Sequence, residues 1–214
     1  MRNGTTNPLT GPGDHARPNR RTVLAGGVSA VAALIASPRT VHAQPSMPSV
    51  GDIVDALRNG GHVIYFRHGA TTWSGIDRIE WPRERQRLLS EEGIRQSETI
   101  GAAFERHAIP VGDVLASPFA RCRDMAEIMF GRVDERMELI GLLSDSEGRD
   151  ERVAFMRRLV TDPPRSGTNR VIVAHRSNIG AVADVTLAEG EAVILRPNAE
   201  GSFAILGTLM PEDW

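Results

Sequence analysis

Residues 63–66 (Val-Ile-Tyr-Phe) form a short apolar run that ends on Arg67-His68-Gly69, and this junction constrains the fold more than any other part of the chain. A run of this length between Gly60-Gly61 and Gly69 predicts a strand over residues 62–66. Two later segments repeat the arrangement. Residues 113–116 lead into Ser117-Pro118-Phe119-Ala120-Arg121, and residues 171–174 (Val-Ile-Val-Ala) lead into His175-Arg176-Ser177. Helical patterns separate them, over residues 52–58, from Ser90 to beyond Phe104, from Pro118 to Met129, over 150–160 and over 177–184. Alternation of this kind predicts an α/β fold with three layers, α/β/α, around a mostly parallel sheet. A further strand over 136–140 and a closing hairpin of residues 192–195 and 203–206 complete it. Ligands of such sheets bind beyond the carboxyl ends of the strands, so the three junctions are expected on one rim.

Local signals fix the element ends. Ser90 is placed to cap a helix whose first residues are Glu91 and Glu92, acids suited to the positive helix end. Ile94, Ser97, Ile100, Gly101 and Phe104 give that helix one packed face. Pro118 suits a first helical position, and Gly131 ends the same helix. Residues 69–87 form a loop long enough to be functional, with Trp73, Gly75, Asp77, Trp81 and Pro82 along it.

Residues 1–43 are expected to lie outside this domain. Asn19-Arg20-Arg21 precedes a mildly apolar stretch from Val23 to Ala36, and Val41-His42-Ala43 fits a small-x-small cleavage site. The pattern resembles a twin-arginine export signal, implying the export machinery as a partner, cleavage near Ala43 and a periplasmic or secreted location. The stretch is shorter than the roughly 20 apolar residues of a membrane span, so no stable anchor is expected. Residues 44–50 read as a linker, and residues 51–214 as the domain. Five of the 25 basic and one of the 27 acidic residues lie within 1–43, leaving a net charge of −6 on the remainder. An acidic surface argues against nucleic acid as a partner. There is no lysine, so a phosphate site in this chain must be built from Arg and His. The single cysteine, Cys122, allows no internal disulfide and is expected to be a buried, inert thiol in a helix.

A histidine beside an arginine supplies a nucleophilic nitrogen and a fixed cationic fork, the elements of phosphoryl transfer. The order and spacing of several motifs resemble the histidine phosphatase superfamily, the phosphoglycerate mutase-like group with the Arg-His-Gly signature. They are residues 67–74 (Arg-His-Gly-Ala-Thr-Thr-Trp-Ser), residues 89–96 (Leu-Ser-Glu-Glu-Gly-Ile-Arg-Gln), Ala116-Ser117-Pro118-x-x-Arg121, and His175 at a strand end. The resemblance spans residues 60–210.

It implies that His68 becomes a phosphohistidine, that Arg67, Arg121 and His175 hold the phosphoryl oxygens with Thr71 and Ser74 beside them, and that neither a metal nor an organic cofactor is needed. It implies a small phosphorylated substrate hydrolysed as a phosphomonoester. A carboxylic acid would protonate the leaving oxygen; Asp145, in Leu143-Ser144-Asp145, is the candidate, with Glu147 and Asp77 as alternatives. The residues also admit a phosphoglycerate mutase-like phosphotransferase, or a phosphate-binding sensor without turnover.

Overall fold

The computed structural model describes residues 48–144 and 147–214. The expected signal segment, most of the linker and Asp145 lie outside the described residues.

The first helix, α1 (Val50–Arg58), starts two residues before the expected point, because Ser49 accepts from the Asp52 amide while Asp52 caps back onto Ser49. Strand β1 (Val63–Arg67) follows, then the long loop with a 3-10 turn at Arg83–Arg85. Helix α2 (Glu91–Arg106) is capped by Ser90, whose hydroxyl accepts from the Gly93 amide. Next come β2 (Val111–Ala116), α3 (Ala120–Phe130), β3 (Asp134–Glu135), α4 (Arg149–Thr161), β4 (Asn169–Ala174), α5 (Arg176–Ala183), β5 (Ala192–Pro197) and β6 (Phe203–Leu209). The sheet order is β3-β2-β4-β1-β5-β6. The pairs β1–β4, β2–β4 and β2–β3 are parallel, while β5 and β6 join antiparallel.

Strand β1 is apolar from Val63 to Phe66 because both of its faces are covered. Ile64 and Phe66 point into a core with α1, α2 and α3 residues such as Leu57, Ile100 and Met125. Val63 and Tyr65 point into the opposite core with Met156 and Val160 of α4 and Ile179 of α5. This is the expected three-layer α/β/α arrangement with a mostly parallel sheet. No helix among the described residues is long and apolar enough to cross a membrane.

Three expectations need correction. Pro118 is not the first helical residue; Phe119 holds the N-cap position and α3 begins at Ala120. Residues 136–140 are not a strand: Met137–Leu139 is a 3-10 turn, closed by the Leu139 amide on the Arg136 carbonyl. Ile94 does not share the buried face of α2 but is exposed.

Candidate active site

Strands β1, β2 and β4 lie side by side and end at the same edge, with Arg67 paired to Ala174 and Ala116 to Val173. The residues that follow these strands therefore meet, as the sequence predicts. They line a cavity of about 170 Å³ that includes Arg67, His68, Arg121 and His175.

His68 is only 3% exposed. Its amide bonds the Ala174 carbonyl (3.1 Å), and its Nδ1 lies 2.9 Å from the Gly69 carbonyl. A carbonyl can only accept, so Nδ1 carries the hydrogen and Nε2 keeps a lone pair. Burial, and then the cationic charge of Arg121, hold the His68 pKa well below its ordinary value; Arg67 and Arg87 push the same way. The imidazole is thus a neutral base and nucleophile in neutral solution. Tight local packing sets its position. A Cβ on Gly93 would lie 2.2 Å from the Ala70 carbonyl oxygen, so only glycine lets α2 start so close to the residue two places after His68.

His175 stands across from His68, with ring centroids 5.7 Å apart at 67°. Its Nδ1 faces Arg121 Nη2 at 3.4 Å and its Nε2 lies 2.8 Å from Ser117 Oγ. A guanidinium can only donate, so Nδ1 is the acceptor and Nε2–H donates to Ser117. Burial first, then Arg121 and His68, lower its pKa well below the ordinary value. Tyr65 anchors this corner by donating to the His175 carbonyl at 2.7 Å.

Arg121 is buried against Asp77: Nη1 donates to Oδ1 at 3.0 Å and to Oδ2 at 2.8 Å. Its Nε has no partner among the described residues, leaving a buried donor beside the cavity. Arg67 donates to the Leu187 carbonyl and to Glu189 Oε1, each at 3.0 Å. Arg87 reaches the same Glu189 oxygen at 3.2 Å and lines the cavity too. The cavity thus gathers four guanidiniums, from Arg67, Arg87, Arg121 and Arg176, the Asp77 carboxylate and two neutral imidazoles, while Glu189 orients Arg67 and Arg87 from outside the lining. That combination suits a tetrahedral oxyanion with a nucleophile beneath it.

Some expected members stand elsewhere. Thr71 does not line the cavity; its hydroxyl accepts from Arg87 Nη2 (2.6 Å) and donates to the Trp73 carbonyl. Ser74 is exposed and outside the lining, because the loop turns away after Trp73 to return at Gly75 and Asp77. Trp73 lies under Arg87, with the guanidinium 5.9 Å from its ring centre. Asp77 accepts both contacts from Arg121 and a third from the Arg87 amide, an arrangement suited to an acceptor and not to a proton donor. Glu147 is exposed outside the cavity lining, and Asp145 lies outside the described residues. Cys122 is buried as expected, with its thiol pushed up to about 12, chiefly by desolvation. The sequence reading missed Arg87 and Glu189. The three arginines packed around Gln86 in residues 83–87 were the available signal for Arg87.

Residues 63–151 match the family described as Histidine phosphatase superfamily (branch 1). The matched segment carries Arg67, His68 and Arg121 of the cavity. The protein histidine phosphatase SixA, solved with tungstate, is similar in fold: TM-score 0.55, 14% identity, covering 71% of this chain and 98% of that one. The alpha-ribazole phosphatase from Shigella flexneri is also similar, with TM-score 0.51, 16% identity, and 67% and 94% coverage. No curated protein matches the chain by sequence.

Proposed function

We propose that this chain is a phosphatase that hydrolyses phosphomonoesters through a covalent phosphohistidine on His68. The observation that carries the reading is the neutral, buried imidazole in a cavity lined by Arg67, Arg87 and Arg121. The match of residues 63–151 to a histidine phosphatase family and similarity in fold to two phosphatases support it.

In the first step the Nε2 lone pair forms a bond to phosphorus while the bond to the ester oxygen breaks, and that oxygen takes a proton. Asp145, which follows Ser144 in the sequence, is the donor in this scheme. In the second step water attacks phosphorus and gives a proton to the carboxylate left by the first step, the P–N bond breaks, and orthophosphate leaves with His68 neutral and the acid restored. The guanidiniums stabilise charge on the equatorial oxygens, which is most of what phosphoryl transfer requires. A bound dianion also favours protonation of His175, turning its Nδ1 from an acceptor into a further donor.

The paired arginines and the cleavage pattern support action outside the cytoplasm after passage through the twin-arginine machinery; fractionation of the producing cell checks the location. The central test uses para-nitrophenyl phosphate. The wild type is expected to turn over and to yield a phosphoprotein that survives an alkaline quench and is lost in acid, while His68→Ala loses both activity and phosphoprotein, with a rate loss beyond about 10³-fold. A His68→Ala protein that keeps most of its activity refutes the scheme. Tight orthophosphate binding without wild-type turnover favours a phosphate sensor instead.

A further inference from the structure

We infer that the substrate is an aryl phosphate, whose aromatic leaving group is held between Ile76 and Leu143 at the mouth of the cavity; the inference rests on the phosphatase reading above. The cavity, about 170 Å³, has the volume of roughly six water molecules. A phosphoryl group beside His68 takes up a good part of it, which sets the leaving group towards the mouth.

Two large apolar side chains stand there. Ile76 is 65% exposed and Leu143 is 70% exposed, yet both line the same cavity as His68. Neither sits on a loose segment. On one side of Ile76, the Gly75 carbonyl accepts from Arg87 Nη1 at 3.1 Å; on the other, Asp77 is buried against Arg121. Leu143 is at the tip of a turn closed by the Ser144 amide on the Gly141 carbonyl (2.9 Å). The preceding residue, Leu142, is buried, and its amide donates to Ser177 Oγ at 3.0 Å. Two anchored backbones therefore present apolar groups to water beside the reacting atoms, which lowers the ordering cost of binding an apolar partner.

The polar groups at the mouth fit the same ligand. The Ser177 hydroxyl is already committed to the Leu142 amide and to Asn178 Oδ1. Arg176 is exposed and lines the mouth, where its planar guanidinium can stack on an aromatic face. A polyhydroxylated leaving group would instead place hydroxyls against two apolar surfaces.

The test compares 2-naphthyl phosphate with phenyl phosphate, two aryl esters that differ mainly in apolar area, and with glycerol 2-phosphate. The wild type is expected to favour naphthyl over phenyl by about tenfold in kcat/KM, mostly through KM, and to handle glycerol 2-phosphate worst. Ile76→Ser/Leu143→Ser should bring the naphthyl-to-phenyl ratio towards one. Competition against para-nitrophenyl phosphate by naphthyl-, phenyl- and methylphosphonate needs no variant and should rank inhibition in that order. Equal inhibition by the three, or a ratio unchanged in the double variant, overturns the aryl assignment while His68-dependent hydrolysis stands. Absence of any His68-dependent hydrolysis overturns both.

Discussion

Asp77 is the position where stability and chemistry can be separated by one substitution. Its carboxylate and the Arg121 guanidinium have side-chain exposures of 1% and 3%, and they lie 2.8 Å apart. Removing one member of such a pair leaves the other charge buried without compensation, at a cost of about 3–5 kcal/mol. Asp77→Ala is therefore expected to lower the urea midpoint by about 1.5–2.5 M, taking an m-value of about 2 kcal/mol/M. The same change frees Arg121, and a misplaced phosphate ligand should lower kcat/KM by about 10²-fold. Because that effect acts through Arg121 and not through a proton, Asp77→Asn should slow para-nitrophenyl phosphate and phenyl phosphate by similar factors. Urea titration followed by steady-state kinetics on both substrates measures each part. An unchanged midpoint would show that the pair contributes nothing. A loss confined to phenyl phosphate, the poorer leaving group, would make Asp77 the proton donor and refute the reasoning.

Two further outcomes follow from the buried groups. His68 and His175 both have pKa values lowered well below 6.5, so the folded chain keeps them neutral. Above pH 6.5 neither folded nor unfolded chain binds these protons; below it the unfolded chain does, and stability falls by up to about 2.7 kcal/mol per pH unit for the two together. Urea midpoints at pH 7, 6 and 5 should show this slope, and His68→Gln/His175→Gln should remove its share; identical slopes in both proteins count against the assignment. Gly93→Ala pushes a methyl group against the Ala70 carbonyl, whose backbone cannot swing aside. It is expected to cost about 1–3 kcal/mol and to lower kcat, and a thermal scan with an activity assay showing a wild-type-like variant would contradict the packing described.

The strands that carry the site were legible because each is buried on both faces, which makes residues 63–66 and 171–174 apolar without alternation. Their order in the sheet then delivers Arg67, His68, Arg121 and His175 to one edge without further information. Residues 136–140 misled because apolar Met137 and Leu139 flank Glu138 as in a strand, whereas the 3-10 turn buries Leu139 and leaves Met137 exposed. Arg87 and Glu189 were missed for a different reason. Their place depends on the path of two loops more than 100 residues apart, which meet through a shared carboxylate oxygen. Asp77 was weighed as an acid, and only its geometry against Arg121 shows the other use of a carboxylate. Cys122 was legible as an inert thiol from its place in a helix alone.

The cavity draws its wall from segments as distant as Arg121 and Arg176, whose helices pack on opposite faces of the sheet. An oxyanion held there adds a further tie between the two helical layers. Occupancy would therefore be felt as slower amide hydrogen exchange on both sides of the sheet at once, with phosphate acting as a clasp for the whole domain.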